Sequence, residues 1–401
     1  MADFAIRAGS RTDVEEIVRL DGFAFGFTMS PQDIEDLLRT LDPDRFLLAT
    51  DADRIVGVTA DFALTMTVPG GTRLAVPGVT WVSVAVTHRR MGILAALMRT
   101  QLEGYRAEGR PLAILTASES GIYGRFGYGP ATFQRAASIE RRRAVLREPG
   151  DTRAVRMGTA EQARAAVADV HRRWCEETPG AIGRSEAWWD TYFLDREGDR
   201  DGMTARFHLL HDDGYVMYRA KESWEGGHAH NVCSVTDVIA LTVRARRDLW
   251  TVLLGLDLFS TVDTSRLPLD DPLPLLLTDP RQVRTTAVND AVWVRLLDVP
   301  AALAARTYGV EIDTVLRVAD AMFGEVTVRL RGGPDGAACE PTDAPADVHC
   351  AVSALGSAYL GGVRVGQLAA AGLVQAADPA ALRRLDRAML AEREPFHGTG
   401  F

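Results

Sequence analysis

Lysine is almost missing from this 401-residue chain: Lys221 is the single one, and every other basic residue is arginine, a skew that reads as genome composition. Positive charge is also in deficit, with 45 basic against 54 acidic residues and a net charge of −9. A shortage of that sign argues against general nucleic-acid binding, which needs a basic excess to neutralise phosphates, and accords with a cationic substrate. Cysteine is sparse. Cys175, Cys233, Cys339 and Cys350 are far apart, with no C-x-x-C pair and no histidines clustered at zinc-ligand spacing, so they read as buried thiols and no metal is expected. His228 and His230 come nearest to a ligand pair, but their Gly-rich, hairpin-like surroundings suit two solvated loop histidines. No uninterrupted apolar run approaches the roughly 20 residues of a membrane-spanning helix. The start, MADFAIRAGSRTDVEEIV, lacks the basic and apolar regions of a secretory signal, so a cytoplasmic protein with no membrane partner is expected.

What is present suits folded domains. Hydrophobic residues make up 47% and charged residues 25% of a chain longer than one core usually organises, so two or three domains are expected. FAIRAG reads as a strand and TDVEEIVRL as a helix that Thr12 could cap, pairing with Glu15; a second helix should begin at Ser30-Pro31. Strands follow at RFLLAT, RIVGVTADFALTMTV and VTWVSVAV. Next comes a helix with Leu94, Leu97, Met98, Leu102 and Tyr105 at helical intervals, then a buried strand, PLAILTAS, and the glycine-rich SGIYGRFGYGP.

Charge thickens at ERRRAVLREPGD, which marks a first boundary and gives expected domains of residues 1–145, 146–286 and 287–401. The second should hold a hairpin around Asp212-Asp213-Gly214 and a strand-helix pair, VIALTVRARRDLWTVLL. In the third, short strands (AVWVRLLDV, GEVTVRLRG, ADVHCAVSA) alternate with small-residue helices.

The chemistry is concentrated at VSVAVTHRRMGIL, where a strand end, an arginine-rich turn and a glycine immediately precede a helix. Successive amides and the positive end of the helix dipole converge there, Gly92 lets the backbone approach closely, and the arginines add charge, so the turn suits an anion. These residues resemble the coenzyme-A motif R/Q-x-x-G-x-G/A of the GNAT acetyltransferases, with Arg89 and Gly92 at the fixed positions and Leu94 where a small residue is usual. HRRMGIL followed by SESGIYGRFGYGPAT strongly resembles the Eis (enhanced intracellular survival) N-acetyltransferases in order and spacing.

The resemblance implies a mixed α/β fold: a catalytic GNAT domain, a second degenerate GNAT-like domain and a C-terminal sterol-carrier-protein-like domain. The second imitates the arginine turn in VRARRDLWTVLL but has no glycine where a backbone must approach phosphate. For acetyl-CoA the resemblance implies backbone contact from Val82, Ser83 and Val84, a pyrophosphate cradle from Arg90 through Met91, Gly92, Ile93 and Leu94 to Ala95 beside the motif's Arg89, and contacts at Ser118 and Glu119. It matches Tyr123 to the family's general acid, while Tyr128 in the same loop is a second candidate from the residues alone. It assigns the base to the α-carboxylate of Phe401, whose reference pKa of about 3.3–3.7 leaves it ionised at neutral pH; the bland reading of that tail is a frayed terminus. It also implies a homohexamer.

DGFAFGFTMS places Phe23, Phe25 and Phe27 beside Asp21, and Trp81 precedes the coenzyme strand; aromatic walls with an acidic residue suit a cationic amine, against ordinary core packing. The expected activity is acetyl transfer to a multi-amine acceptor such as an aminoglycoside, a polyamine or a lysine side chain. No G-x-S-x-G elbow or Cys/His nucleophile pair is present, which favours direct attack in a ternary complex. The rival from another class is a carrier that senses acyl-CoA and holds an apolar ligand in its third domain.

Overall fold

The computed structural model describes residues 4–401; Met1–Asp3, where the first expected domain starts, lie outside the described residues. Strand β1 (Ala5–Ala8) leads through a tight turn into helix α1 (Val14–Phe25). Thr12 does not cap this helix. Asp13 is engaged instead by Arg7 at 2.6 Å and by the Ser10 hydroxyl at 2.7 Å, and the helix start has no side-chain cap. The buried positions of α1 are Val14, Ile17, Val18 and Asp21, so a carboxylate occupies the next place on an otherwise apolar, core-facing stripe. Helix α2 (Pro31–Leu37) starts at Ser30 as the sequence indicates: the Ser30 hydroxyl accepts from Asp33 N–H while the Asp33 carboxylate accepts from Ser30 N–H.

Strands β2 (Leu47–Asp51), β3 (Arg54–Thr67), β4 (Arg73–Val84) and β5 (Leu112–Thr116) build the first sheet with β1. Its spatial order is β1-β2-β3-β4-β5, then Val292–Leu296, then Gly129–Pro130. Pairing is antiparallel as far as β4. Helix α3 (Ile93–Ala107) is the crossover that allows β5 to run parallel to β4. It buries Ile93, Leu97, Met98, Leu102 and Tyr105; Leu94 is only partly buried.

Two features of this sheet shape a cleft. The β4–β5 ladder comprises only Gly78↔Ile114 and Val79↔Leu115, yet β4 continues to Val84, so the two strands part beyond Val79. At the same level β4 bulges: Val58 pairs with Ser83 and Ala60 with Thr80, which leaves Trp81 and Val82 opposite Thr59 alone. Trp81 accordingly adopts a positive φ of 52°, a costly conformation for a bulky residue.

The chain leaves the first sheet after Pro130 and enters a second seven-stranded sheet at Phe133, returning at Val292. The second sheet contains the hairpin Phe207–His211/Gly214–Lys221 around Asp212-Asp213, and the helix Val243–Leu254 follows strand Asn231–Ala240. AVWVRLLDV forms the strand Val292–Leu296, fully buried as the antiparallel neighbour of β5, with Trp293 opposite Leu115. A third, five-stranded sheet includes two strands not read from the sequence, Ile312–Asp320 and Gly336–Pro341. Met322 and Phe323, in its hairpin turn, pack against the apolar cluster that buries Tyr123 and Phe126. Buried Arg295 pairs with Asp320 beneath them at 2.5 Å.

Two compact units result. One comprises the chain up to Thr132 with Ala291–Glu392 and Thr399–Phe401; the other comprises Phe133–Asp290 with Arg393–Gly398. Within the second unit the tail is held by bonds from Phe396 N–H to Pro179 O, from Ile182 N–H to His397 O and from Arg184 to Gly398 O at 2.8–3.0 Å, so it is not frayed there. Among the described residues no helix is long and apolar enough to cross a membrane.

Candidate active site

The parting of β4 and β5 opens onto a cavity of about 720 Å³. Its walls include Val82, Ser83 and Val84 from the bulged end of β4, Arg89, Arg90, Gly92, Ile93, Leu94 and Ala95 from the turn and the start of α3, and Ser118 and Glu119 beyond β5. Of the residues singled out from the sequence for coenzyme A, only Met91 is absent from these walls; it lies in the same turn with its side chain exposed.

The turn has the character of an anion cradle. Gly92 is the N-cap of α3 at φ 86° and supplies no side-chain cap, so the amides of residues 92–95 have no intrahelical acceptor, and the first helical bond runs from Ala96 N–H to Gly92 O. A Cβ at Gly92 would meet nothing within 4 Å; glycine is required there by the backbone conformation alone. Arg90 also takes a left-handed conformation, at φ 65°, and both Arg89 and Arg90 are exposed without an ion-pair partner among the described residues. A further wall residue, Arg125, adds a third cation; it lies in the same glycine loop as Tyr123, and the sequence reading passed over it. The helix Val243–Leu254 contrasts with α3, since Thr242 caps it by accepting from Ala245 N–H at 3.1 Å.

A second cavity of about 290 Å³ in the same unit is lined by Asp21, Phe25, Phe27, Trp81, Val82, Thr116 and Tyr123, among others. Tyr123 and Val82 border both cavities. Tyr123 is 6% exposed, whereas Tyr128 is wholly buried, its hydroxyl has no partner and it lines neither cavity. The two rings meet edge to face at 6.2 Å. Burial, with the nearby Glu119 charge, pushes the Tyr123 phenol above its ordinary range.

Phe401 lies against Thr116, a wall residue of this second cavity, without itself lining the cavity. The Thr116 hydroxyl donates to a Phe401 terminal oxygen at 3.2 Å, and a Cβ on Gly78 would clash first with Leu64 and then crowd the Phe401 ring at 3.0–3.1 Å, so glycine at that point of β4 leaves room for both. No local signal in the sequence pointed to Thr116. Of the three phenylalanines beside Asp21, Phe25 and Phe27 line the cavity, with Phe27 edge-on to Trp81 at 6.3 Å, while Phe23 is 79% exposed and lines a separate surface groove.

Comparison with known proteins agrees with this architecture. Residues 5–131 and 180–296 each match the acetyltransferase (GNAT) domain family, and residues 299–398 match the sterol carrier protein domain family. The protein is therefore an acyltransferase of the GNAT class, a class that takes its acetyl group from acetyl-CoA. It is 37% identical over 352 residues to N-acetyltransferase Eis of Mycobacterium tuberculosis, covering 86% of this chain and 85% of that protein. An uncharacterized N-acetyltransferase of Streptomyces coelicolor is 38% identical over 392 residues, 94% of this chain and 95% of that one. The crystal structure of Eis1 from Mycobacterium abscessus superposes with a TM-score of 0.89 at 35% identity, covering 99% of this chain and all of the other. The chain belongs to the Eis family of GNAT N-acetyltransferases.

Proposed function

We propose that the chain transfers acetyl from acetyl-CoA to one amine of a multi-amine acceptor, an aminoglycoside, a polyamine or a lysine side chain, by direct attack in a ternary complex. The observation that carries this reading is the sharing of Tyr123 by two cavities, one cationic and rich in free helix-start amides, the other aromatic and bordered by Thr116, which holds the chain terminus. The larger cavity suits coenzyme A. Its uncapped amides and its arginines favour a diphosphate, and the bulged end of β4 presents strand backbone to an extended chain of the pantetheine type.

In this reading the acceptor ammonium gives its proton to the Phe401 carboxylate, directly or through water. The neutral nitrogen attacks the thioester carbonyl, the N–C bond forms as the C–S bond breaks, and the sulfur takes the Tyr123 proton. An amide near Val84 receives the charge that develops on the carbonyl oxygen. Burial supports the acid role, since it keeps the Tyr123 phenol protonated through the neutral range. The second GNAT domain, with its own threonine cap in place of a glycine, takes no coenzyme A, and the third contributes Met322 and Phe323 behind Tyr123. We also infer that the protein works in the cytoplasm as a hexamer, with an amine as its small-molecule or protein partner.

Thiol release from acetyl-CoA, screened over amine acceptors, tests the activity. A few residues appended after Phe401 should abolish turnover while melting temperature and coenzyme-A affinity hold. Full activity in the extended protein excludes the terminal carboxylate, and lipid affinity without any turnover would favour the carrier reading.

A further inference from the structure

Asp21 is a carboxylate in an unusual setting. It sits on the core-facing stripe of α1 and is only 6% exposed; its Oδ1 atom has no hydrogen-bond partner, and no cation pairs with it among the described residues. The neighbouring Ser83 hydroxyl opposes the effect of burial on this group, but its geometry falls short of a hydrogen bond. A buried carboxyl left so poorly satisfied is costly, and an alanine there would serve the helix better. The carboxyl borders the 290 Å³ cavity while its unpartnered Oδ1 has almost no accessible surface, so a ligand supplies the missing partner once the side chain turns toward the cavity.

The chemistry of that ligand follows from the surroundings. Phe25, Phe27 and Trp81 wall the cavity with aromatic rings, which favour an ammonium. Asp21 and Thr116 both line this small cavity, and Thr116 holds the Phe401 terminus directly behind its wall, so a second carboxylate of different origin lies one residue away. We propose that Asp21 is the anchor for a second ammonium group of the acceptor, making the cavity selective for dications over monoamines. This rests on the acetyl-transfer reading only in assigning the reacting amine to Phe401; the anchor takes the amine that is not acetylated. A diamine then engages both carboxylates, whereas a monoamine satisfies one and leaves the other buried without a partner.

The test uses the full chain and a series of linear diamines from diaminopropane to diaminooctane, with butylamine as the monoamine. The parent should show kcat/KM at least about tenfold higher for its best diamine than for butylamine, and Asp21→Asn should shrink that ratio about tenfold, mainly through KM for the diamine. Equal losses for diamine and monoamine, or no loss for either, would overturn the anchor. Calorimetry without any acetyl donor separates this from the activity itself. If the parent binds the diamine and Asp21→Asn does not, the anchor stands even in a protein that fails to turn over; equal diamine binding by both proteins, or no preference over butylamine in the parent, removes it. The parent's own preference needs no variant, so the inference stays testable if Asp21→Asn does not fold.

Discussion

Replacing Gly92 isolates the helix-start cradle from everything around it. The residue stands at φ 86° and a Cβ there meets no heavy atom within 4 Å, so a side chain brings conformational cost and no clash. For alanine in a left-handed conformation that cost is about 1–2 kcal/mol; asparagine tolerates the region better, and a β-branched residue tolerates it worst. In the free protein the turn can relax and shed the strain, but coenzyme A needs the amides of residues 92–95 aimed together, so the strain returns as lost affinity. Each 1.4 kcal/mol is a factor of ten. Coenzyme-A dissociation constants measured by calorimetry should therefore rise in the order Gly92, Gly92→Asn, Gly92→Ala, Gly92→Val, with alanine about five- to thirty-fold weaker than the parent. Thermal melting should move by only ~2–4 °C, because no core contact is lost. If Gly92→Val binds coenzyme A as tightly as the parent while folded, the helix start does not hold the diphosphate.

Two further perturbations act elsewhere in the fold. Tyr123→Phe should lower kcat by about a hundredfold with coenzyme-A affinity within about twofold, the range a general acid contributes; unimpaired turnover would remove Tyr123 from that role. Because burial raises the Tyr123 phenol, the parent's kcat should not decline through loss of this proton until pH exceeds the ordinary tyrosine value of about 10, and a loss of the proton near neutral pH would contradict the assignment. His397 is fully buried, and desolvation, with Arg266 and Arg184 nearby, holds its imidazole down to about 3. Its folded value lies below its unfolded value of about 6.5, so the unfolded chain binds the proton first, and stability falls as pH drops from about 6.5 toward 3. Denaturant titrations should show the difference between parent and His397→Gln changing by up to ~1.4 kcal/mol per pH unit across that window, and a constant difference would place the imidazole in water.

Much of the site is local chemistry and could be read directly. The turn Arg89 to Gly92 joins a strand to a periodic helix, and the Ser30-Pro31 start and the Asp212-Asp213-Gly214 hairpin depend on neighbours within a few residues. The tyrosine loop was picked out by the order and spacing of motifs, as was the family, whereas Phe401 was pointed to only by the family resemblance. Such features follow from backbone geometry and capping, which short stretches determine by themselves.

The tertiary structure decided what depends on distant pairings. Nothing around Trp81 signals a positive φ, because the bulge exists only when β4 is laid in register on β3. AVWVRLLDV read as a short strand of the third domain, and only its pairing with β5 puts it in the first sheet. Thr116 and Phe401 are 285 residues apart, and no periodicity links them. The sequence put Asp21 beside aromatic residues suited to a cationic amine but did not show its burial, which is a property of the packed chain: the same carboxylate costs little in water and a great deal in a cleft without a counter-ion.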